Sequence, residues 1–491
     1  MFTLNKEEFF IHSSRIVRRL KKIALIVTLG GLLFGVDTGV INGAIPYMAS
    51  PQQLNLTPAE EGLVTSGITL GAAIGALIIG KLADRYGRKK MLVCLALIFF
   101  MGTLMCSVAP NAFLMIIFRF LLGLAVGGAS VIVPTYLAEV STAALRGRLV
   151  TQNELMITGG QLLAFTVNAV LGSCFPHVGS IWRYMIAFGM IPSVLLFIGM
   201  WRVPESPRWS IMVGHQDAAL QTLETIRPSR QRSLHEIQSV ENTLQRNRMA
   251  RHATLHDLSH PWVRNLVLIG VGLGIIQQFV GINIMMYYGT SILMKVGFGH
   301  QAALIANIGN GLTSFVATAV GMQMMYTVDR RKMLLTGITG TASSMAFITL
   351  AILFLRNSPL LPYIVICSTM AFLAFFQSCV SPTTWVLLSE IFPQSLRGLG
   401  MGISTFALWL ANFFVGFTFP VMMARWGGSG TFVFFIICNI LSLVFAAIFA
   451  PETQGKTLEQ IQTELRQKAM AKHHHHHHHE LPNYLENGYQ N

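Results

Sequence analysis

Two ionisable residues stand where a very apolar chain has little reason to carry charge. Asp37 lies in the middle of the first apolar stretch, and Arg119 lies near the start of the fourth. A carboxylate inside hydrocarbon is strongly unfavourable unless it is paired or lines water, so such a group is read as functional. Arg119 is its natural partner. The guanidinium favours the ionised acid and burial favours the neutral one, so the balance can change with conformation. A group so placed can take a proton from one side of a membrane and release it to the other. A static buried salt bridge that fixes helix packing is the alternative reading of the same pair.

The seventh apolar stretch carries a different chemistry. It reads Gln277-Gln278-Phe279-Val280-Gly281-Ile282-Asn283, then Tyr287-Tyr288. Gln161 lies in the fifth stretch within Gly159-Gly160-Gln161. An amide offers donors and acceptors together, which matches hydroxyl groups without adding charge. A polyhydroxylated ligand needs such amides plus an apolar wall for its ring. Phe34, Trp385 and Trp409 are candidates for that wall, with ordinary packing as the competing explanation for each aromatic. Pro382, in Ser381-Pro382-Thr383-Thr384, marks a helix break that can act as a hinge.

These residues need a membrane scaffold to position them. Of 491 residues, 53% are apolar and only 11% charged, against roughly 25% charged in soluble domains. About twelve apolar stretches have the length of ~20 residues that a spanning helix requires. Six precede the polar segment 203–262 and six follow it. Backbone groups in hydrocarbon must bond within their own helix, so an all-α membrane protein is expected. The expected organisation is a cytoplasmic N-terminus (1–22), a first six-helix bundle (23–202) and a cytoplasmic linker with short helices (203–262). A second six-helix bundle (263–450) and a cytoplasmic tail (451–491) with an amphipathic helix and a His run complete it.

The chain also repeats itself. Leu137-Ala138-Glu139 leading to Leu145-Arg146-Gly147 returns as Leu388-Ser389-Glu390 leading to Leu396-Arg397-Gly398. Ala83-Asp84-Arg85 returns as Val328-Asp329-Arg330, and Val203-Pro204-Glu205 as Ala450-Pro451-Glu452. Repeats kept in order imply a duplicated half. The second copy around Asp329-Arg330-Arg331-Lys332 is shorter and lacks the Gly.

The net charge of +14 argues against nucleic acid once its distribution is followed. Lys and Arg crowd into alternate connections, which is the positive-inside pattern with both termini cytoplasmic. The six cysteines are scattered without metal-ligand spacing. No nucleophile–base pair or metal cluster suggests an enzyme. No cofactor is expected, only a proton as coupling ion. No cleavable signal peptide is read at the N-terminus. The run His473 to His479 could bind metal or be a purification tag.

Longer motifs carry a resemblance. Gly80-Lys81-Leu82-Ala83-Asp84-Arg85-Tyr86-Gly87-Arg88-Lys89-Lys90 resembles the signature loop of the major facilitator superfamily. Pro204-Glu205-Ser206-Pro207-Arg208-Trp209, Pro451-Glu452-Thr453-Gln454-Gly455, Arg146-Gly147-Arg148 and Gly31 to Val40 resemble the sugar porter family within it. The resemblance runs from about residue 23 to 466. It implies twelve transmembrane helices in two pseudo-symmetric bundles, with a substrate site between them near mid-membrane. It also implies that Asp37 carries the proton beside Arg119. Phe34, Gln161, Gln277, Gln278, Asn283, Tyr287, Trp385 and Trp409 would line the sugar site. Asp84, Arg85, Arg88, Glu139, Arg146, Asp329, Glu390 and Arg397 would form salt bridges on the inner face and close it when the outside is open.

Details bear on the substrate. Leu408 stands where pentose and hexose porters often carry a Gln, and Ser381 replaces a common Gly. The stretches Ala129 to Gly172 and Arg397 to Ser404 look most like bacterial myo-inositol transporters. The expectation is therefore a monomeric multi-pass protein of the bacterial inner membrane, in contact with lipid. It would import a cyclic polyol or sugar, myo-inositol first, by proton symport. A hexose or pentose symporter, a passive uniporter and a non-transporting sugar sensor are the alternatives.

Overall fold

The computed structural model describes residues 6–142, 146–249, 255–325, 327–392, 394–453 and 458–473. Of these, residues 6–13, 146–148, 150, 244, 246–249, 389, 394–398, 458–462, 469 and 472–473 are described by backbone alone. The described residues form helices and no strand. Ten membrane helices are plain: α1 (Ser14–Met48), α2 (Pro58–Tyr86), α3 (Arg88–Ser107), α4 (Ala112–Val140), α5 (Arg146–Cys174), α6 (Ile181–Met200), α7 (Pro261–Lys295), α8 (His300–Met324), α9 (Arg330–Phe354) and α10 (Leu361–Leu388). The last apolar stretch is one helical run, Gln394–Phe449, broken at Gly427 with φ 71° and ψ 179°. That break divides it into α11 (394–426) and α12 (428–449), giving twelve spans among the described residues.

Local chemistry sets the ends of these helices. Thr57 and Glu60 form a reciprocal capping box at the start of α2. Asn111 accepts from the Leu114 N–H at 2.9 Å and caps α4. Gly87, at φ 96°, separates α2 from α3. A helix over Lys6–Val27 leads directly into Leu29–Met48.

Two hydrophobic cores form, one per half. The first gathers apolar residues from Ile16 to Ile237, the second from Trp262 to Ala450. Few residues cross over: Leu304 and Trp409 join the first core, and Phe165 joins the second. Within each half, small residues let helices approach closely. A Cβ on Gly71 would collide with the Phe120 carbonyl, and one on Gly123 with the Ile68 carbonyl. This close α2–α4 approach fixes where Arg119 sits. Outward-facing side chains such as Phe113, Tyr184, Ile191, Phe354, Leu360 and Leu441 are more than half exposed, forming the apolar belt that lipid covers.

Among the described residues the halves meet mainly at one end, which we call the far half; the opposite face, which we call the terminus face, carries the start of α1, the linker helices and helix Leu458–His473. There Phe165 and Leu162 pack on Gly311, Ser66 on Gly416, and Leu304 against Gly43 and Gly172. The segment between bundles folds as helices Pro207–Met212, Gln216–Ile226 and Arg230–Met249, on the terminus face.

Candidate functional site

Asp37 and Arg119 meet inside the first bundle. Nη1 of Arg119 lies 2.9 Å from both carboxylate oxygens of Asp37. The two side chains are 9% and 2% exposed, so this is a buried ion pair. Arg119 is anchored independently of the acid. Its Nε donates to the Val64 carbonyl at 2.9 Å and its Nη2 to the Thr65 carbonyl at 3.3 Å, both on α2. Loss of charge on Asp37 therefore leaves the cation held by two backbone dipoles.

The amides of the second bundle form a chain. Asn283 donates to Gln278 at 2.5 Å, Gln278 to Gln277 at 3.2 Å, and Gln277 to the Thr384 hydroxyl at 2.6 Å. All three are buried. The chain spans a break in α7. Gly281 adopts φ 103°, in the left-handed region, and separates Pro261–Phe279 from Ile282–Lys295. Thr384 comes from α10, where a π-helical turn over Phe376–Val380 precedes Pro382. The bulge at the proline is a recognised cause of local bending.

Gln161 links the two chemistries. Its Nε2 donates to the Thr38 hydroxyl at 3.2 Å, beside Asp37. Its buried Oε1 finds no partner among the described residues, so an acceptor remains for a ligand hydroxyl. Phe34 of α1 and Trp409 of α11 meet edge to face at 5.7 Å and line the cleft between bundles. Tyr287 donates to Asn412 of α11 at 3.1 Å. Trp385 is half-buried against the core of the second bundle, and no described contact brings it to the amide chain.

The charged residues of the terminus face form two networks, one in each half. In the first, Arg88 grips Glu139 with Nη2–Oε1 at 2.8 Å and Nε–Oε2 at 3.1 Å, and lies 3.2 Å from Asp84. Glu205 accepts from the N–H groups of Arg88 and Lys89 at 3.0 and 3.1 Å, capping α3. In the second, Arg330 approaches Glu390 at 3.4 Å, and Glu452 caps α9 through the N–H groups of Arg330 and Arg331 at 3.3 and 3.2 Å. Arg85 lies over the Tyr86 ring at 5.3 Å. Asp329 is exposed. The side chains of Arg146 and Arg397 lie outside the described residues. Each described bridge joins helices of one bundle, whereas a closed inner gate would need bridges between bundles.

Sequence reasoning missed three groups. Asn42 joins the halves: it donates to the Met286 carbonyl at 2.7 Å and accepts from the Thr290 N–H at 2.9 Å. Asn412 and Thr384 orient Tyr287 and Gln277. Glu154 lies two turns from Gln161 on one face of α5, toward the terminus face. The rule that singled out Asp37, an acid or amide inside an apolar span, would have found Asn42 and Glu154 too.

This arrangement, two helical bundles that carry buried amides and a buried ion pair inside apolar spans, is that of a membrane transporter. The family model described as "Sugar (and other) transporter" matches residues 23–465, and the chain belongs to that family. It is 51% identical to the major myo-inositol transporter IolT of Bacillus subtilis, over 91% of this chain and 94% of that one. It is 37% identical to a D-xylose transporter of Levilactobacillus brevis, over 90% of this chain and 94% of that one. Among solved structures, the inward open conformation of the xylose transporter XylE from E. coli superimposes with a TM-score of 0.78 at 30% identity, covering 91% of this chain and 99% of that one. XylE bound to a deoxyglucose, described as a proton:xylose symporter, gives a TM-score of 0.73. The protein is thus a multi-pass sugar porter of the major facilitator type and not an enzyme.

Proposed function

We propose that this protein imports a cyclic polyol, myo-inositol first, together with a proton. The observation that carries the reading is the link from acid to amide: Asp37 pairs with Arg119 while its neighbour Thr38 bonds Gln161. Protonation of Asp37 removes the attraction to Arg119 and frees α1 to shift. That shift reaches Gln161 through Thr38, so ligand and proton act on one helix. The identity to a myo-inositol transporter supports the substrate. So does Leu408, which packs on Gly274 and offers the ligand no polar contact.

In the proposed cycle, both termini face the cytoplasm and the far half faces outward. Substrate enters from outside while Asp37 is protonated. Gln161, Gln277, Gln278 and Asn283 bind its hydroxyls, with Phe34 and Trp409 as the apolar wall for its ring. The far half then closes, with Asn42 bonded to the outer part of α7. The polyol leaves past Glu154, whose carboxylate offers further acceptors to hydroxyls, and Asp37 releases its proton inward. Arg88–Glu139 and Arg330–Glu390 keep each bundle rigid while the two rock. The cross-bundle contacts of the far half fit the conformation open to the terminus face.

Uptake by proteoliposomes tests this reading. Myo-inositol should accumulate against its gradient when a proton gradient is imposed, and should carry protons with it. Equilibration without proton movement would show a uniporter. Preference for xylose or glucose over myo-inositol in the same assay would assign the site to a sugar instead.

A further inference from the structure

A second cavity lies far from the transport path. It has a volume of about 330 Å³ and sits on the terminus face, between the start of α1 and the linker helices. Arg15, Arg19 and Arg227 line it, with Glu224, Thr225 and Ile16. The charges are not equally committed. Arg227 is consumed by structure: it holds Glu236 at 2.6 and 3.0 Å and donates to the carbonyls of Val140 and Ser141. Glu224 faces Arg230 at 3.6 Å. Arg19 spends one Nη1 donor on the Thr225 carbonyl at 3.0 Å. Arg15 and Arg19 both line the cavity, and Arg18, Lys21 and Lys22 lie on the same helix.

The depth of the cavity identifies its ligand. Ile26 of α1 packs against Gly199 of α6, and Trp201, 60% exposed, follows at the end of that helix. An exposed tryptophan at a span's end marks the headgroup level. Arg19 lies two turns before Ile26, roughly 10 Å along the helix, just on the aqueous side of that level. Paired guanidinium groups bind phosphate oxygens bidentately. Basic pockets at this depth suit anionic headgroups.

We propose that Arg15 and Arg19 form a binding site for the phosphate of an anionic phospholipid, which ties the N-terminal helix to the linker helices.

The test uses the full chain and phosphatidylglycerol. Native mass spectrometry and thermal melting are run with phosphatidylglycerol, with phosphatidylcholine and with inorganic phosphate. The wild type should retain phosphatidylglycerol and melt higher in it. Arg15→Gln/Arg19→Gln should weaken retention about tenfold or more, the loss expected for charge-assisted hydrogen bonds. Arg15→Gln alone keeps the Arg19–Thr225 bond, so its smaller loss separates binding from folding. Equal retention by wild type and both variants would overturn the site. Stabilisation by inorganic phosphate equal to that by the lipid would assign the site to a soluble anion and overturn the lipid.

Discussion

The two halves share a plan and differ in what they carry. In the first half, an acid and a guanidinium face each other at 2.9 Å, and every donor of Arg119 described is satisfied. In the second half the site residues are neutral amides joined in a relay. The same contrast recurs on the terminus face. Arg88 and Glu139 make a two-pronged contact from 2.8 Å, with side chains 5% and 9% exposed. Their counterparts Arg330 and Glu390 sit at 3.4 Å with side chains 15% and 20% exposed. Duplication supplied the scaffold, and divergence left the acid–guanidinium pair in the first half and the linked amides in the second.

The most severe way to break that division is to neutralise the acid. Asp37→Asn should abolish accumulation of myo-inositol above equilibrium while leaving counterflow exchange measurable. Full accumulation by this variant would return the pair to a purely structural role. The matching change in the second half should act on affinity instead. Gln278→Ala leaves the Asn283 amide and the Gln277 carbonyl oxygen without their described partners. A buried unpaired group costs about 1–3 kcal/mol, so binding should weaken roughly tenfold to a hundredfold. Calorimetric titration reads this directly, and an unchanged Kd would remove Gln278 from the site.

The same contrast can be read as stability at the two terminus-face networks. Arg88→Ala strands Glu139 in a buried position, where breaking an ion pair costs about 3–5 kcal/mol. Arg330→Ala should cost less, because its pair is looser and more exposed. Equal losses of Tm in the two variants would contradict the asymmetry. The smallest effect is expected at the α7 break. Gly281→Ala places a Cβ on a residue at φ 103°, at a cost of about 1–2 kcal/mol. It should lower Tm slightly and slow transport more than binding, which a comparison of exchange rate with Kd would reveal.

Much of this was legible in the chain. Twelve apolar stretches and the Glu-to-Arg-Gly repeat sufficed for the helical membrane architecture, because hydrocarbon leaves a backbone few options. Asp37 stood out because its type contradicts its surroundings. The relation of Gln161 to Thr38 was not legible, since it depends on which faces of α1 and α5 meet. Asn42 was legible as an amide inside an apolar span, but its partners, backbone groups of α7, leave no side-chain signature. The break at Gly281 was equally hidden, because glycine is common in these spans for close packing and only the backbone angle distinguishes a hinge. The intra-bundle direction of the Arg88 and Arg330 contacts also required coordinates, because the repeat shows which residues correspond and not which helices they join.

Asp37, Thr38 and Asn42 occupy one short stretch of α1. In the proposed cycle the first would answer to proton concentration, while the second bonds Gln161 and the third joins α1 to α7. A helix is stiff over so few residues, so these three cannot respond separately. A transporter that let ions through without cargo, or cargo without ions, would need these duties on parts that move independently. In the proposed cycle a single rod would transmit all three, so that leakage is opposed by mechanical linkage as well as by affinity.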